Sequence, residues 1–169
     1  MERNYDRDAD RRAIEAHAGL SRIALIAASH LRITGRPLVP EGGDFAHALW
    51  HLPAVVLAHG TEDDPLFFYA NRAALDLFAL TGEQVLAMPS RLSAEMPLRE
   101  EREALLARVR AQGFIDDYAG IRIASDGRRF RIKAATVWNL VDPDGVNRGQ
   151  AATFESWQDL QARPHLRDE

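Results

Sequence analysis

Histidine side chains occur at two places in the chain where their spacing could support chemistry. His47 and His51 are four residues apart in a helical pattern, which is the spacing of two metal ligands on one helix face. No third ligand stands nearby, so a packed helix is the alternative interpretation and we expect no metal. His59 precedes an acidic loop that contains Asp63 and Asp64, and a histidine–carboxylate pair there could act as an acid–base catalyst. The alternative is a histidine at a strand end that holds the loop by a hydrogen bond.

Arg91 is a candidate anion-binding residue in a loop between two predicted helices. Its guanidinium could bind a carboxylate or phosphate through two parallel hydrogen bonds. It could equally form a structural ion pair with Glu95 or Asp117. Asp116 and Asp117 are adjacent in a strand pattern, so their side chains diverge and cannot form an acid–base dyad. We therefore predict that the protein is not an enzyme.

The composition excludes several classes of site and partner. The chain has 169 residues and no cysteine, which excludes disulfides, thiolate metal sites and cysteine nucleophiles and fits a reducing cytoplasm. The net charge of −4 gives no general attraction to nucleic acid. No apolar run approaches the roughly 20 residues of a membrane span, and the charged N-terminus does not resemble a secretory signal. We expect a cytoplasmic protein that binds neither nucleic acid nor a membrane.

A short strand that turns directly into a helix organises the centre of the chain. The segment 66–69 is aromatic and apolar, which is typical of a strand buried on both faces. Asn71 has a side chain suited to cap a helix. Beyond it, Ala74, Leu77 and Phe78 fall on one helical face. An apolar core or cavity should lie under this turn.

The elements around this unit predict an α+β fold. Residues 1–9 form a polar, mobile tail, and residues 10–51 form an N-terminal helical extension with a possible break near Gly19. Residues 52–156 form the main domain, with two strands, helices, and a three-strand meander, and residues 157–169 form a C-terminal tail. A five-stranded antiparallel sheet with helices over one face accommodates this order.

Five stretches give this order a specific resemblance. A strand followed by Tyr69, Ala70, Asn71 and a helix, then a meander, resembles a PAS domain. The stretches His59–Pro65, Phe68–Leu75, Met88–Ala94, Gly113–Ile123 and Ala135–Leu140 are similar to the MEKHLA domain, a PAS-like family that occurs alone in bacteria and at the C-terminus of plant homeodomain–leucine-zipper transcription factors. The resemblance covers roughly residues 20–156 and implies a sensory or interaction module of the stand-alone bacterial type. It implies no particular reaction or ligand.

PAS-like domains hold ligands between the inner sheet face and the helices. Here the alternating pattern of the longest strand assigns to that face Phe130, Ile132, Ala134, Thr136, Trp138 and Leu140. The small residues among them could leave room for a ligand, or the space could be filled by core side chains such as Leu105. The candidate ligand-binding residues are Phe68, Asn71, Phe78, Arg91, Tyr118, Thr136 and Trp138.

The cofactor stays unassigned, and the N-terminal helix suggests how a partner would bind. A flavin adduct to cysteine is impossible without cysteine, and no histidine on the helix after Pro97 can serve as an axial haem ligand. The apolar stripe of the N-terminal helix must be buried. It can fold back on the outer sheet face or pair with a second copy, so we expect a homodimer or a protein partner through this helix. The basic residues from Arg128 to Lys133 are expected to form a solvated edge.

Overall fold

The computed structural model describes residues 4–94 and 99–160, and its elements follow the predicted order. The helices in these ranges are α1 Arg7–Ala18, α2 Leu20–Thr34, α3 Phe45–Trp50, α4 Arg72–Phe78, α5 Gly82–Leu86 and α6 Arg99–Gln112, with a 3-10 turn at Ser90–Ser93. The strands are β1 Val55–His59, β2 Phe67–Ala70, β3 Phe114–Ile123, β4 Arg129–Val141, β5 Asn147–Phe154 and β6 Ser156–Leu160. The predicted helix start at Pro97 and the residue Glu95 lie outside the described residues. None of the described helices is long and apolar enough to cross a bilayer.

The strands form one antiparallel sheet in the order β2-β1-β5-β4-β3, which confirms the predicted fold class. The sheet has a sixth strand, β6, which pairs with β4 beyond the end of β5. Most of this segment was predicted to be a polar tail, so that prediction is corrected for residues 157–160. Trp157 pairs with Ile132, and the centroid of its ring lies 6.1 Å from that of Phe154. This aromatic contact supports a strand whose other side chains are mostly exposed.

Helices α1 and α2 fold back onto the sheet, which is one of the two routes that the sequence allowed. Gly19 separates them with a φ of 78°, in the region that favours glycine. Both helices have fully buried side chains, which are Ile14 on α1 and Ile23 and Ile26 on α2. Helix α2 lies along β4, where the hydroxyl of Ser29 donates to a main-chain carbonyl. The N-terminal extension is therefore part of the folded core.

The first turn of α1 begins inside the segment that was predicted to be a mobile tail, so that prediction is corrected for residues 7–9. Arg7 is only 9% exposed, and its guanidinium donates to the carbonyl of Leu80 at 2.7 Å and to the Asp10 carboxylate at 2.9 Å. Asp10 in turn accepts from the main-chain N–H of Gly82 at 2.7 Å. These polar contacts attach α1 to the turn between α4 and α5.

Strand β4 contains a bulge that reverses the direction of its side chains. Tyr118 on β3 pairs with Ala135, whereas Gly120 pairs with Ile132, so β4 uses one more residue than β3 between these two pairs. Ala134 takes a φ of 50°, which is uncommon for a residue with a Cβ atom.

The bulge corrects the predicted inner face of the sheet. The β4 side chains that face the cavity side are Phe130, Ile132, Ala135 and Val137. The side chains that face the opposite side, toward α2, are Thr136, Trp138 and Leu140. A strict alternation assumes an unbroken pleat, and one inserted residue moves every later side chain to the other face.

Helix α6 covers the inner face through a small hydrophobic cluster of its own. Leu105 and Val109 on the helix pack against Ile115 and Val137 on the sheet. The main core, which includes Trp50, Leu75 and Phe130, forms a separate buried cluster. The contact that holds α6 on the sheet is therefore limited in area.

Candidate functional site

A cavity of about 80 Å³ lies between the inner face of the sheet, the end of α4, the 3-10 turn and α6. Most of its lining is apolar, from Leu57, Phe67, Phe78, Ala94, Leu105, Leu106, Ile132, Ala135, Val137, Ala151, Ala152 and Phe154. The polar side chains at its edge are His59, Ser90, Ser93, Tyr118, Arg122 and Gln150. This is the space between sheet and helices where the resemblance implied a ligand.

The polar groups around the cavity are engaged with the protein itself. The Ser93 hydroxyl donates to the carbonyl of Ser90 at 2.7 Å. The Nδ1–H of His59 donates to the carbonyl of Gly60 at 2.9 Å, because a carbonyl can only accept. The Gln150 amide donates to the Asn139 side chain at 3.3 Å. These bonds leave a surface that selects a ligand by shape and apolar contact more than by charge.

Phe78 and Tyr118 are the two predicted ligand-binding residues that line this cavity. The Phe78 ring meets Phe130 edge-to-face, with the ring centroids 5.2 Å apart. Tyr118 lies beneath the Arg122 guanidinium, whose central carbon is 5.3 Å from the ring centroid. The two aromatic rings come from α4 and β3, so the fold brings together side chains that are 40 residues apart in the sequence.

Asn71, another predicted ligand-binding residue, is completely buried in the frame of the fold. Its Oδ1 accepts from the main-chain N–H groups of Val56 at 3.0 Å and Ala74 at 3.1 Å. Its Nδ2 donates to the carbonyls of Ala54 at 2.8 Å and Leu49 at 3.2 Å. The amide has used its full hydrogen-bonding capacity, so Asn71 holds α3, β1 and α4 together and does not face the cavity.

Phe68 lies on the other side of β2, and its neighbour Phe67 takes the place in the cavity lining. The register of the pairing between β1 and β2 shifts between Ala58 and His59. This shift determines which face of the sheet the side chains of Phe67 and Phe68 point to. The guanidinium of Arg22 on α2 lies over the Phe68 ring, 4.6 Å from its centroid. Phe68 therefore packs against the N-terminal helices.

Arg91 forms an exposed ion pair and does not line the cavity. Its Nε donates to both carboxylate oxygens of Asp64, at 3.0 and 3.2 Å, and both side chains are about half exposed. The structure thus pairs Arg91 with Asp64, and pairs Asp117 with Arg108 at 3.0 Å. The Asp64 carboxylate therefore has an ion-pair partner in Arg91.

Thr136 and Trp138 lie on the outer face of the sheet, because the β4 bulge precedes them. Trp138 is fully buried, and its ring centroid is 4.8 Å from that of His30 in an edge-to-face contact. Within the described residues its Nε1 has no hydrogen-bond partner. Burial lowers the pKa of His30, although its hydrogen bond to the carbonyl of Arg36 at 2.8 Å acts in the opposite direction.

Several cavity residues were not among the predicted ligand-binding residues, although His59 was considered as a catalytic residue. His59 and Leu57 share a face of β1 by simple alternation, and this signal could have identified them. Val137 and Ala135 lie after the bulge, so no periodic pattern could assign them to the cavity. Gln150 lines the cavity because it pairs with His59 on β1. This pairing depends on the order of the strands in the sheet.

The His47 and His51 rings approach each other on α3 and its C-cap, with centroids 4.4 Å apart. Both side chains are exposed, and the His47 Nδ1 lies 3.5 Å from the guanidinium of Arg11, a cation that opposes metal binding. Across residues 4–94 and 99–160, no group of three or more histidine and carboxylate side chains is placed to hold a metal ion.

Comparison with known families places most of the chain in one of them. The MEKHLA domain family model matches residues 20–159. The homeobox-leucine zipper protein ATHB-9 of Arabidopsis thaliana is 33% identical over 122 residues, which are 69% of this chain and 14% of that protein. HOX29 of Oryza sativa subsp. indica is 28% identical over 98 residues, or 58% of this chain and 11% of that protein. The chain thus spans only a small part of these relatives.

Solved structures similar to this one are PAS and LOV domains. The PAS domain of a protein from Colwellia psychrerythraea has a TM-score of 0.57 at 14% identity, and the match covers 68% of this chain and 92% of that chain. A fungal LOV domain photoreceptor has a TM-score of 0.55 at 15% identity, covering 88% of this chain and 97% of that chain. At these identities the likeness shows the fold alone.

Proposed function

The chain belongs to the MEKHLA domain family, and from that premise we propose that it is a non-catalytic sensory module that binds a small, largely apolar molecule. The observation that supports this proposal is the cavity between the sheet and α6, with its aliphatic and aromatic walls. Such a lining favours an uncharged ligand, because an unpaired charge buried there would cost several kcal/mol. The few polar groups at the edge would orient the ligand.

The volume of the cavity sets the size of the ligand and the movement that binding requires. Its 80 Å³ is well below the roughly 300 Å³ at which drug-sized sites begin. A molecule of a few non-hydrogen atoms fits without rearrangement. A larger molecule must displace α6, which is held by the small cluster around Leu105 and Val109. Displacement of α6 would then report the bound state to a partner.

A flavin does not fit the cavity while α6 is in its observed position. One of the similar solved structures describes a flavin analogue in a light-oxygen-voltage domain. A three-ring flavin needs a site of several hundred Å³, and this cavity is several times smaller. The chain also has no cysteine that could form an adduct. The proposed module therefore senses a smaller ligand by binding alone.

An experiment that fills the cavity tests the proposal. We expect benzene, indole or n-butanol to raise the melting temperature of the purified chain and to be retained in native mass spectrometry. Ala152 lines the cavity, so Ala152→Leu should abolish the ligand-induced rise while the protein stays folded. Ala119→Leu makes the same change at an exposed position of β3 and should leave the rise unchanged. A ligand effect that survives Ala152→Leu would contradict the proposal.

A structural dimerisation module is the second candidate function, and the exposed side of α2 favours it. Leu20 is 62% exposed and Leu31 is 37% exposed, while the opposite side of the helix is buried on the chain's own sheet. A homodimer or protein partner would therefore use the outward side of α2. If so, Leu31→Glu should convert a dimer into a monomer in light scattering, whereas a wild-type monomer would remove this candidate.

An enzyme that uses His59 and Asp64 has less support, because Asp64 is paired with Arg91. The stand-alone bacterial type and a cytoplasmic location stay predictions. The relatives described above are plant homeobox-leucine zipper proteins, of which this chain matches one segment.

A further inference from the structure

A second concave site lies on the outer face of the sheet, on the side away from the cavity. It is a groove of about 740 Å³ between the connection from α2 to α3 and the surface of β4 and β5. Its volume lies within the roughly 300–1,000 Å³ that is typical of small-molecule sites. We call it the outer groove.

The bulge in β4 forms the floor of the outer groove. Lys133 and Ala134 are exposed one after the other, which a regular pleat would not allow on a covered face. The left-handed backbone of Ala134, with a φ of 50°, costs free energy that the surrounding structure must offset. Backbone strain of this kind concentrates at functional sites. The strained backbone of Ala134 therefore supports the interpretation of the outer groove as a binding site.

The rim of the outer groove carries positive charge that the protein does not neutralise. Arg36 and Lys133 both line the groove, and neither forms an ion pair with any of the described residues. Glu155 is the one acidic side chain among the lining residues. The balance of charge favours an anionic ligand over a cationic one.

Two hydroxyl groups on the floor add hydrogen-bond donors to the outer groove. Thr136 and Thr153 stand directly opposite each other in the pairing of β4 with β5, and both line the groove. Neither hydroxyl forms a hydrogen bond with another described residue. The wall formed by Pro37, Leu38, Leu52 and Pro53 is apolar, so it suits a hydrocarbon body.

We propose that the outer groove binds a small organic acid, with its anionic group held by Arg36, Lys133 and the two threonine hydroxyls and its apolar body on the proline and leucine wall. The sheet separates this site from the inner cavity, and Phe154 lines both. The fluorescent probe 8-anilinonaphthalene-1-sulfonate has this chemistry and tests the assignment in the full chain. We expect saturable binding of one probe per chain, displaced by octanoate.

The charged rim determines which variants weaken binding. Arg36→Gln and Lys133→Gln should each weaken probe binding by about tenfold or more, and Thr136→Val by a few-fold, since hydrogen bonds to charged groups are the stronger ones. Arg131→Gln is the matched control, because Arg131 is an exposed cation on the same strand but does not line the groove. It should change the affinity much less than the rim variants do, because a cation that does not line the groove makes no direct contact with the probe and acts only through the partly screened general attraction. The three charged positions are exposed and Thr136 is half-buried, so these changes should preserve the fold, which circular dichroism and melting temperature verify.

Three outcomes would overturn the proposal. The first is equal probe affinity in wild type and both charge variants. The second is an equal loss in Arg131→Gln, which indicates general electrostatic attraction. The third is a failure of octanoate to displace the probe. The neutral analogue N-phenyl-1-naphthylamine should bind all variants alike, and Ala152→Leu should leave probe binding unchanged, so failure here is distinguishable from failure of the cavity proposal.

Discussion

Asn71 connects three segments of the chain through one amide group. Its oxygen caps α4 and accepts from β1, while its nitrogen donates to carbonyls at the end of α3 and before β1. Each partner is a main-chain group that would lose its hydrogen bond if the amide were removed. The corner between β2 and α4 therefore depends on this one side chain.

Replacement of Asn71 should cost far more than the loss of an ordinary helix cap. We expect Asn71→Ala to lower the free energy of unfolding by about 3 kcal/mol or more, because several buried polar groups lose their partners together. Asp44 caps α3 through one hydrogen bond at an exposed position, so Asp44→Ala should cost about 1 kcal/mol. Urea unfolding measures both values. Similar costs for the two variants would show that Asn71 acts only as a cap.

His30 should make the stability of the protein depend on pH. Burial lowers its pKa in the folded state below the roughly 6.5 of an unfolded chain, so protons bind the unfolded state more readily. The stabilising contribution of the neutral ring is present above pH 6.5 and is lost as the pH falls through that value toward the lower pKa of the folded state.

The variant His30→Asn tests this dependence. The asparagine amide can keep the hydrogen bond to the carbonyl of Arg36, but it does not titrate. The free energy of unfolding should therefore fall less between pH 7 and pH 5 in the variant than in wild type. Parallel pH profiles of the two proteins would contradict the lowered pKa.

At the scale of secondary-structure elements, the bulge in β4 determines which side chains reach each face of the sheet. Because of the bulge, Val137 lines the inner cavity and Thr136 lines the outer groove. Ala134 adopts a backbone conformation that glycine adopts at lower cost. The strained residue, Ala134, thus lies at the bulge that determines which side chains line the inner cavity and which line the outer groove.

A glycine at the bulge should relieve this strain. We expect Ala134→Gly to raise the free energy of unfolding by about 0.5–1 kcal/mol, because the left-handed region penalises a Cβ atom. The same change at exposed Ala119, which lies opposite the bulge but has no positive φ, should lower stability because glycine loses more conformational freedom on folding. Chemical unfolding distinguishes the two. Destabilisation by Ala134→Gly equal to that by Ala119→Gly would refute the strained bulge.

Helix α2 is part of the core, and its two sides should respond differently to truncation of a side chain. Ile26 is fully buried, so Ile26→Ala should cost about 2–5 kcal/mol through lost contacts and a new void. Leu20 is 62% exposed, and Leu20→Ala should change stability by less than about 0.5 kcal/mol. Thermal and urea unfolding measure both. A small effect of Ile26→Ala would mean that the helix is not docked on the sheet.

At the scale of the whole molecule, the sequence predicted the antiparallel α+β fold and the corner at Asn71 because both rest on local patterns. Phe78 and Tyr118, two of the residues predicted to bind a ligand, line the inner cavity. Thr136 and Trp138 were assigned to the same face by an alternation that the bulge interrupts. A bulge depends on pairing with a distant strand, so it leaves no periodic signal. The strand β6 was missed for a related reason, since its pairing with β4 is supported mainly by Trp157.

The whole fold places two concave sites on opposite faces of one sheet. The inner cavity lies beneath α6 and the outer groove lies beside α2. Both are lined by β4 and β5, so the same two strands contribute to each site. This arrangement gives the sheet one mostly apolar cavity, with Arg122 at its edge, and one groove with Arg36 and Lys133 at its rim.

Xenon tests most directly whether an open, apolar cavity lies beneath α6, because dry apolar cavities bind this atom. A crystal of the full chain under xenon pressure should show xenon bounded by Phe78, Leu105, Ile132 and Val137. The Ala152→Leu variant should show none there. Absence of xenon from the wild-type cavity, with side chains filling the space, would contradict the account.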